Sequence, residues 1–329
     1  MASVLGAWST SWKQLHESRY REASSITVPR FLVRLTGISR THDPIEKGRK
    51  RPMDEQDRVR AYYDGFGERE WDRLIQPNDG AVEFAVTSQV IGAHLPAGAR
   101  VLDIGGGPGR YSLWLAERGH RVTLADLSPG LVAIARDKVA VSSAAARIED
   151  IVVADARDLS RWADASFDAV LSLGPFYHLP DPADRDRAAR ELARILHPEG
   201  LAFVALMPRY AFLRRTVAIR DERRHLASPA FMARVLDEGV FENDIPGRFT
   251  GGYGVRPEEV APFFARYGFD VRALLATESI VPDLQEPLAS LALDDPEAHR
   301  ALLQMVVHVA VDPSILGLAN HLLYVGQKA

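Results

Sequence analysis

The sequence contains no cysteine. This absence excludes disulfide bonds, thiolate metal ligands and cysteine nucleophiles, and it is compatible with a reducing cytoplasm. The chain also has no run of 18 apolar residues, and its first residues, MASVLGAWSTSWKQ, lack the basic start and long apolar middle of a secretory signal. We therefore expect a cytoplasmic protein with no membrane partner.

The net charge is also small, −4 for 329 residues, but the charged residues are unevenly distributed along the chain. Residues 1–52 carry ten Lys and Arg against four Asp and Glu, which leaves a net charge of −10 on the rest of the chain. An acidic body does not attract nucleic acid by charge alone, so no nucleic-acid partner is expected. We interpret residues 1–52 as a basic, flexible extension, with a linker favoured over a nucleic-acid or membrane arm, and residues 53–329 as the main domain.

The main domain has the pattern of an α/β protein. Apolar segments typical of strands occur at 100–104, 121–125, 150–154, 167–173 and 201–207, and amphipathic segments typical of helices separate them. Strands joined by helical crossovers predict a doubly wound, mostly parallel sheet. In such a sheet, ligands bind beyond the carboxyl ends of the strands.

A glycine-rich turn follows the first predicted strand, in VLDIGGGPGRYSLW. A dinucleotide motif would need a sixth-position glycine where the chain has Arg110, which weakens a pyrophosphate interpretation. The spacing instead places Asp103 before the glycines and Asp126 at the end of the second strand. A carboxylate at the position of Asp126 can accept hydrogen bonds from both hydroxyls of a ribose. A carboxylate at the position of Asp103 favours a ligand that carries an ammonium group.

Five segments in the order of the chain resemble the motifs of the class I S-adenosylmethionine-dependent methyltransferases of the small-molecule type: VLDIGGGPG, VTLADLSP, VVADARDL, FDAVLSLGPFYHL and LHPEGLAFVAL. The resemblance implies a seven-stranded Rossmann-like sheet with helical lid insertions and S-adenosyl-L-methionine as the cofactor. It places a lid helix at 55–75, the cofactor core at 96–207, and lid insertions at 208–255 and 280–318.

The same resemblance assigns nine residues to the cofactor site. They are Tyr63, Asp103, Gly105, Gly107, Asp126, Leu127, Asp155, Ala156 and Leu173. Two of these have a structural alternative. Asp155 is also typical of a turn cap at a strand end, and Tyr63 also belongs to an apolar helix face.

The loop after the fourth strand, GPFYHL, supplies the candidate catalytic residues Tyr177 and His178. A histidine with an ordinary pKa accepts a proton at neutral pH, and a tyrosine hydroxyl orients a nucleophile. The alternative is that both side chains are structural. No metal site is expected. The loop begins with Gly174 instead of the polar residue of the clamp found in methyltransferases that act on amino groups of nucleic acids, which disfavours that substrate class.

The sequence therefore predicts an S-adenosylmethionine-dependent methyltransferase that acts on an O, N or C nucleophile of a small metabolite, in specialised metabolism. Two alternatives are left open. One is a methyltransferase that acts on RNA or protein and uses the basic extension, and the other is a regulatory protein that binds the cofactor without methylating. A homo-oligomer is compatible with the sequence.

Overall fold

A computed structural model describes residues 55–243, 245, 248–249 and 251–329. The chain divides into two units, residues 1–58 and 59–329. The predicted extension 1–52 lies outside the described residues, and the described part of the first unit is the start of one helix. All strands described below belong to the second unit.

Nine strands are present among the described residues. They are β1 (Arg100–Ile104), β2 (Arg121–Asp126), β3 (Ile148–Val153), β4 (Phe167–Ser172), β5 (Leu196–Pro208), β6 (Val240–Glu242), β7 (Gly251–Val255), β8 (Phe269–Ala276) and β9 (Leu322–Lys328). The first five coincide with the predicted strands to within a few residues. The fifth begins earlier than predicted, at Leu196.

The helices lie between these strands. They are α1 (Glu55–Phe66), α2 (Glu68–Arg73), α3 (Asp79–His94), α4 (Arg110–Glu117), α5 (Pro129–Ala140), α6 (Pro182–Ile195), α7 (Arg209–Ala218), α8 (Pro229–Ala233), α9 (Pro257–Ala265), α10 (Gln285–Asp294), α11 (Pro296–Val309) and α12 (Pro313–Leu316). Short 3-10 turns occupy Ala145–Arg147, Pro175–His178 and Arg220–Ala227, and a π-turn occupies Arg234–Glu238.

Seven strands form one sheet in the order β3-β2-β1-β4-β5-β9-β8. Strands β1 to β5 pair in parallel, and β9 is antiparallel to both of its neighbours. The predicted doubly wound, mostly parallel α/β fold is confirmed. Two further short strands, β7 and β6, extend the sheet from the end of β5. They come from the segment 208–255, for which the sequence predicts helices.

Helix boundaries follow local chemistry. Ser128 begins α5 by accepting a hydrogen bond from the backbone N–H of Leu131 (3.0 Å), and Asp181 begins α6 in the same way. The predicted helix 55–75 is instead two helices, because Gly67 adopts a φ of 58° between α1 and α2.

The segments assigned to lids have their own packing. In 208–255, Phe212, Val235 and Phe241 form a fully buried cluster. The segment 280–318 contains α10 to α12, and the Asp283 backbone N–H donates to Asp79 on α3 (3.2 Å). None of the described helices combines the length and apolar character that a membrane crossing requires.

Candidate active site

The glycine-rich turn after β1 is shaped by close approaches that a side chain would block. Gly105 has a φ of 76°, and a Cβ atom placed on it would lie 2.6 Å from Cδ of Pro175. A Cβ on Gly109, whose φ is 90°, would lie 2.8 Å from Cδ1 of Leu124. The turn therefore packs directly against β2 and against the loop that follows β4. Both the left-handed torsions and the absent side chains are required here.

Asp126, the last residue of β2, holds this turn in place. Its buried carboxylate accepts hydrogen bonds from the backbone N–H groups of Gly107 and Ser128, both at 2.8 Å. Burial raises the pKa of Asp126 to about 6 against the opposing effect of these two bonds. A carboxylate has about four acceptor positions, so two stay available for a ligand such as a diol. Leu127, which follows, is half-buried.

Asp103 is a second buried carboxyl beneath the turn, and the Ser112 hydroxyl donates to it at 2.7 Å. Burial, together with the nearby charge of Asp126, raises the pKa of Asp103 to about 7. A cationic ligand would favour the ionised form of both acids. The pair therefore fits a cofactor that carries positive charge, as S-adenosylmethionine does.

Asp155 has a visible structural role. Its carboxylate accepts from the backbone N–H of Arg157 (2.9 Å) and from the guanidinium of the same residue (2.6 Å). Arg157 also donates to Asp184 at 2.8 Å. These contacts match the alternative of a turn cap, and adenine contact by Asp155 stays a prediction. Ala156 is buried, and Leu173 is half-buried at the end of β4.

Tyr63 and His178 lie next to each other on one side of the site. The Tyr63 hydroxyl and Nε2 of His178 are 2.8 Å apart, and the two rings meet edge to face with centroids at 5.4 Å. The ring of Phe249 lies 4.9 Å from His178. We call this side of the site the aromatic wall, which consists of Tyr62, Tyr63, His178 and Phe249.

His178 is 5% exposed, and burial lowers its pKa to about 3, although a backbone hydrogen bond with Gly251 opposes the shift. The ordinary pKa that the sequence argument assumed for His178 is therefore wrong. Burial also raises the pKa of Tyr177. Both side chains are neutral at physiological pH, and their catalytic role stays a prediction.

Four charged residues that were not predicted from the sequence form a second cluster near Tyr177, which we call the charged wall. They are Arg73, Glu83, Glu278 and His321. Nδ1 of His321 lies 2.7 Å from Oε1 of Glu278, and Arg73 donates to Glu83 at 2.6 Å. The ring of Tyr177 is close to both walls, with its centroid 4.8 Å from that of His178 and 5.8 Å from that of His321.

The sequence contained a weak signal for two of these residues. Glu278 comes just after a strand and His321 just before one, and the pairing of Ala276 with Leu322 joins the two strand ends. The carboxyl end of β8 and the start of β9 therefore meet at one sheet edge. The sequence contained no comparable signal for Arg73 on α2 and Glu83 on α3, because only tertiary packing brings these residues to this edge.

The charged wall has a distinct electrostatic balance. Burial disfavours a charged ring, but Glu83 and Glu278 outweigh this effect and raise the pKa of His321 to about 9. Burial opposes ionisation of Glu83 as well, yet Arg73 and His321 lower its pKa. Arg73 also pairs with Glu70 on α2 at 3.1 Å, so the two cations of the wall are shared among three carboxylates.

Glu83, Glu278 and His321 offer ligand atoms within 4.8 Å of one another, a spacing that a metal ion could span. In the structure, however, these atoms already bond to one another and to Arg73. An ion would have to displace both cationic partners. The geometry favours an ion-pair network, and the expected absence of a metal stays a prediction.

Comparison with known proteins places the glycine turn in a family. Residues 102–204 match the family model described as a methyltransferase domain. The chain is 38% identical over 110 residues to the methyltransferase GfsG of Streptomyces halstedii, covering 33% of this chain and 38% of that protein. It is 41% identical over 113 residues to a ubiquinone biosynthesis O-methyltransferase of Xanthomonas oryzae pv. oryzae, covering 34% and 45% respectively. The chain thus spans less than half the length of these curated relatives.

Solved structures share the fold over a longer part of the chain. An S-adenosylmethionine-dependent methyltransferase of Methanosarcina mazei aligns with a TM-score of 0.51 at 18% identity, covering 73% of this chain and 96% of that one. The [4+2]-cyclase SpnF aligns with a TM-score of 0.52 at 19% identity, covering 83% and 96%. At these identities the likeness establishes the fold alone.

Proposed function

Because residues 102–204 match a methyltransferase-domain family and five segments resemble the motifs of class I S-adenosylmethionine-dependent methyltransferases, we propose that the protein transfers a methyl group to an O, N or C nucleophile of a small metabolite. The similarity to an O-methyltransferase of ubiquinone biosynthesis supports a small acceptor. A role in specialised metabolism is part of the same proposal.

The residues that would hold the cofactor are the glycine turn, Asp126 and Asp103. The two free acceptor positions of Asp126 suit the ribose hydroxyls, and the two buried acids suit the positive charge. When bound, S-adenosylmethionine supplies an electrophilic methyl group. Alignment of a nucleophile in a dry site can lower the barrier by roughly 7–11 kcal/mol, so the protein needs little further chemistry for a strong nucleophile.

The observation that carries the small-molecule proposal is the cover over the loop after β4. Tyr177 and His178 are only 8% and 5% exposed. Strand β7 lies over them so closely that a Cβ on Gly252 would be 2.4 Å from the carbonyl oxygen of Tyr177. Tyr63 and Phe249 complete the cover. A covered site excludes water and admits a small acceptor more readily than a polymer.

The experiment is incubation of the full chain with methyl-labelled S-adenosylmethionine and, separately, a metabolite extract, total RNA and a protein fraction. We expect label only in the metabolite extract. The Asp126→Ala variant serves as the cofactor-binding control, and calorimetry with S-adenosylhomocysteine measures cofactor affinity independently.

Label in RNA or protein would instead support a macromolecule methyltransferase. Cofactor binding without label in any fraction would support a regulatory protein that does not methylate. Failure to bind S-adenosylhomocysteine would contradict the cofactor assignment itself.

A further inference from the structure

The topology brings His321 to the edge of the sheet where the glycine turn lies. Leu322, the first residue of β9, pairs with Leu206 near the carboxyl end of β5. Since β9 is antiparallel to β5, the residue that precedes β9 lies at the edge where the parallel strands end. Strand β8 ends at the same edge, and Glu278 follows it. The sequence separation of 43 residues is thus closed by strand pairing.

A single carboxylate fixes the orientation of the His321 ring. Oε1 of Glu278 lies 2.7 Å from Nδ1, and Oε2 accepts the backbone N–H of His321 at 2.9 Å. With Nδ1 held in this way, Nε2 is the atom left to exchange a proton. It has no hydrogen-bond partner among the residues that the structure describes, and 19% of the side-chain surface is exposed. Glu278 itself is 2% exposed.

We propose that His321, in its neutral form, accepts at Nε2 the proton of the substrate nucleophile, with Glu278 as its positioning residue. This inference rests on the proposed function and narrows it, because it assigns an acceptor whose reacting atom carries a proton, of the phenolic or enolic hydroxyl class. The O–H bond of the acceptor breaks and an Nε2–H bond forms. The oxygen keeps the electron pair with which it bonds the methyl carbon, and the bond from that carbon to the cofactor sulfur would break with its electron pair staying on sulfur, which leaves S-adenosylhomocysteine. The imidazolium returns the proton to water after product release.

The two histidines of the site differ in their fitness for this task. The groups that face His321 are Arg73 from α2, Glu83 from α3, Tyr177 from the loop after β4, and Glu278 after β8. The two carboxylates make its ring strongly basic, whereas the aromatic wall lowers the pKa of His178 to about 3. A phenolic hydroxyl has a pKa near 10, so a strongly basic ring can take its proton, and the fraction of His321 in the neutral, proton-accepting form grows as the pH rises toward 9.

The geometry of the charged wall fits proton transfer because the product of the transfer is stabilised in advance. An imidazolium at position 321 stands between the Glu278 oxygen at 2.7 Å and the Glu83 oxygen at 3.7 Å. A charge-assisted hydrogen bond in a buried site is about twice as strong as a neutral one. Arg73, bonded to both Glu83 and Glu70, offsets part of the negative charge of these carboxylates.

The first test is a 15N NMR titration of the imidazole rings in the full chain with S-adenosylhomocysteine present. We expect one ring to titrate near pH 9 with Nδ1 protonated in its neutral form, and this signal to be missing in His321→Gln. The test does not depend on catalysis. A titration near 6.5, or a neutral form protonated at Nε2, would overturn the proposal.

The second test is label transfer to the metabolite extract as a function of pH. We expect the wild-type rate to rise up to about pH 9, and His321→Gln to be ~10²–10⁴-fold slower without that rise. Glu278→Gln should move the rise to lower pH, because it removes a charge that stabilises the imidazolium. His308→Gln, at an exposed position of α11, is the matched control.

Equal rates and pH profiles in wild type and His321→Gln would overturn the proposal, as would activity that a chelator removes and Zn²⁺ restores. A wild type that labels no fraction refutes the proposed function, and the NMR titration then still decides whether the basic pair exists. If His321→Gln does not fold, Glu278→Gln and the wild-type titration decide the question.

Discussion

The aromatic wall and the charged wall each place a histidine next to the same tyrosine, His178 buried and His321 largely buried, yet the two rings have opposite protonation behaviour. His178 is surrounded by rings, and burial lowers its pKa to about 3. His321 is surrounded by carboxylates, and its pKa rises to about 9 despite burial. Burial alone therefore does not decide the charge of a side chain. The neighbours that share its low-dielectric surroundings decide it.

The largest effect is expected outside both walls, at Asp126. Asp126→Ala should weaken binding of S-adenosylhomocysteine by ~2–4 kcal/mol, because up to two charge-assisted hydrogen bonds to the ribose are lost. The pKa values of His178 and His321 should stay unchanged in this variant, which would show that cofactor binding and the two walls are independent. Isothermal titration calorimetry measures the affinity, with Asp137→Ala on the exposed side of α5 as the control. Unchanged affinity would remove Asp126 from the cofactor site.

The next effect concerns acid stability and the aromatic wall. The folded pKa of His178 lies below the unfolded value near 6.5, so the unfolded chain binds more protons and stability is lost as the pH falls from about 6.5 toward 3. His178→Phe should abolish this loss and gain ~3 kcal/mol relative to wild type between pH 7 and pH 4.5. Urea unfolding at both pH values measures it. An equal acid loss in the variant, with His308→Phe as control, would contradict the assigned environment.

The contribution of the charged wall to stability should be lost as the pH rises, whereas that of the aromatic wall is lost as the pH falls. The folded pKa of His321 lies above its unfolded value, so its contribution to stability is complete below about 6.5 and is lost as the pH rises to about 9. Glu278→Gln should lower the free energy of unfolding at pH 7 by ~2 kcal/mol and flatten the alkaline loss. Urea unfolding from pH 6 to 9.5 tests this, with exposed Glu286→Gln as control. If the free energy of unfolding of Glu278→Gln depended on pH as in wild type, Glu278 would not be a cause of the raised pKa of His321.

The smallest effect is expected from the bond between α1 and the aromatic wall. Tyr63→Phe removes the hydroxyl that lies 2.8 Å from Nε2 of His178 and should cost ~1 kcal/mol of stability at pH 7. Tyr62→Phe on the same helix is the control. In a double-mutant cycle, Tyr63→Phe should have little further effect in a His178→Phe background. Full additivity would show that the two side chains do not interact.

Features encoded in contiguous sequence were predicted well. The strand, the glycines and Asp126 all lie within residues 101–126, where strand spacing and backbone torsion are local properties. The charged wall could not be found in this way, because α2, α3 and the ends of β8 and β9 meet only after the sheet has formed. The prediction of an ordinary pKa for His178 was wrong for the same reason, because Tyr63 and Phe249, which help to bury the ring, are distant in sequence. Strands β6 and β7 were missed because they are defined by tertiary pairing, of β7 with β5 and of β6 with β7, rather than by a strong alternating pattern.

The position of β9 has a consequence for biosynthesis. It is the last of the described strands to be made, yet it lies between β5 and β8 inside the sheet. During translation, the glycine turn, Asp126 and His178 leave the ribosome well before residue 321. A nascent chain therefore carries the segments for cofactor binding before it can assemble the charged wall. Until β9 is made, the edges of β5 and β8 that pair with it are left unpaired and are exposed to chaperones and proteases that bind nascent chains.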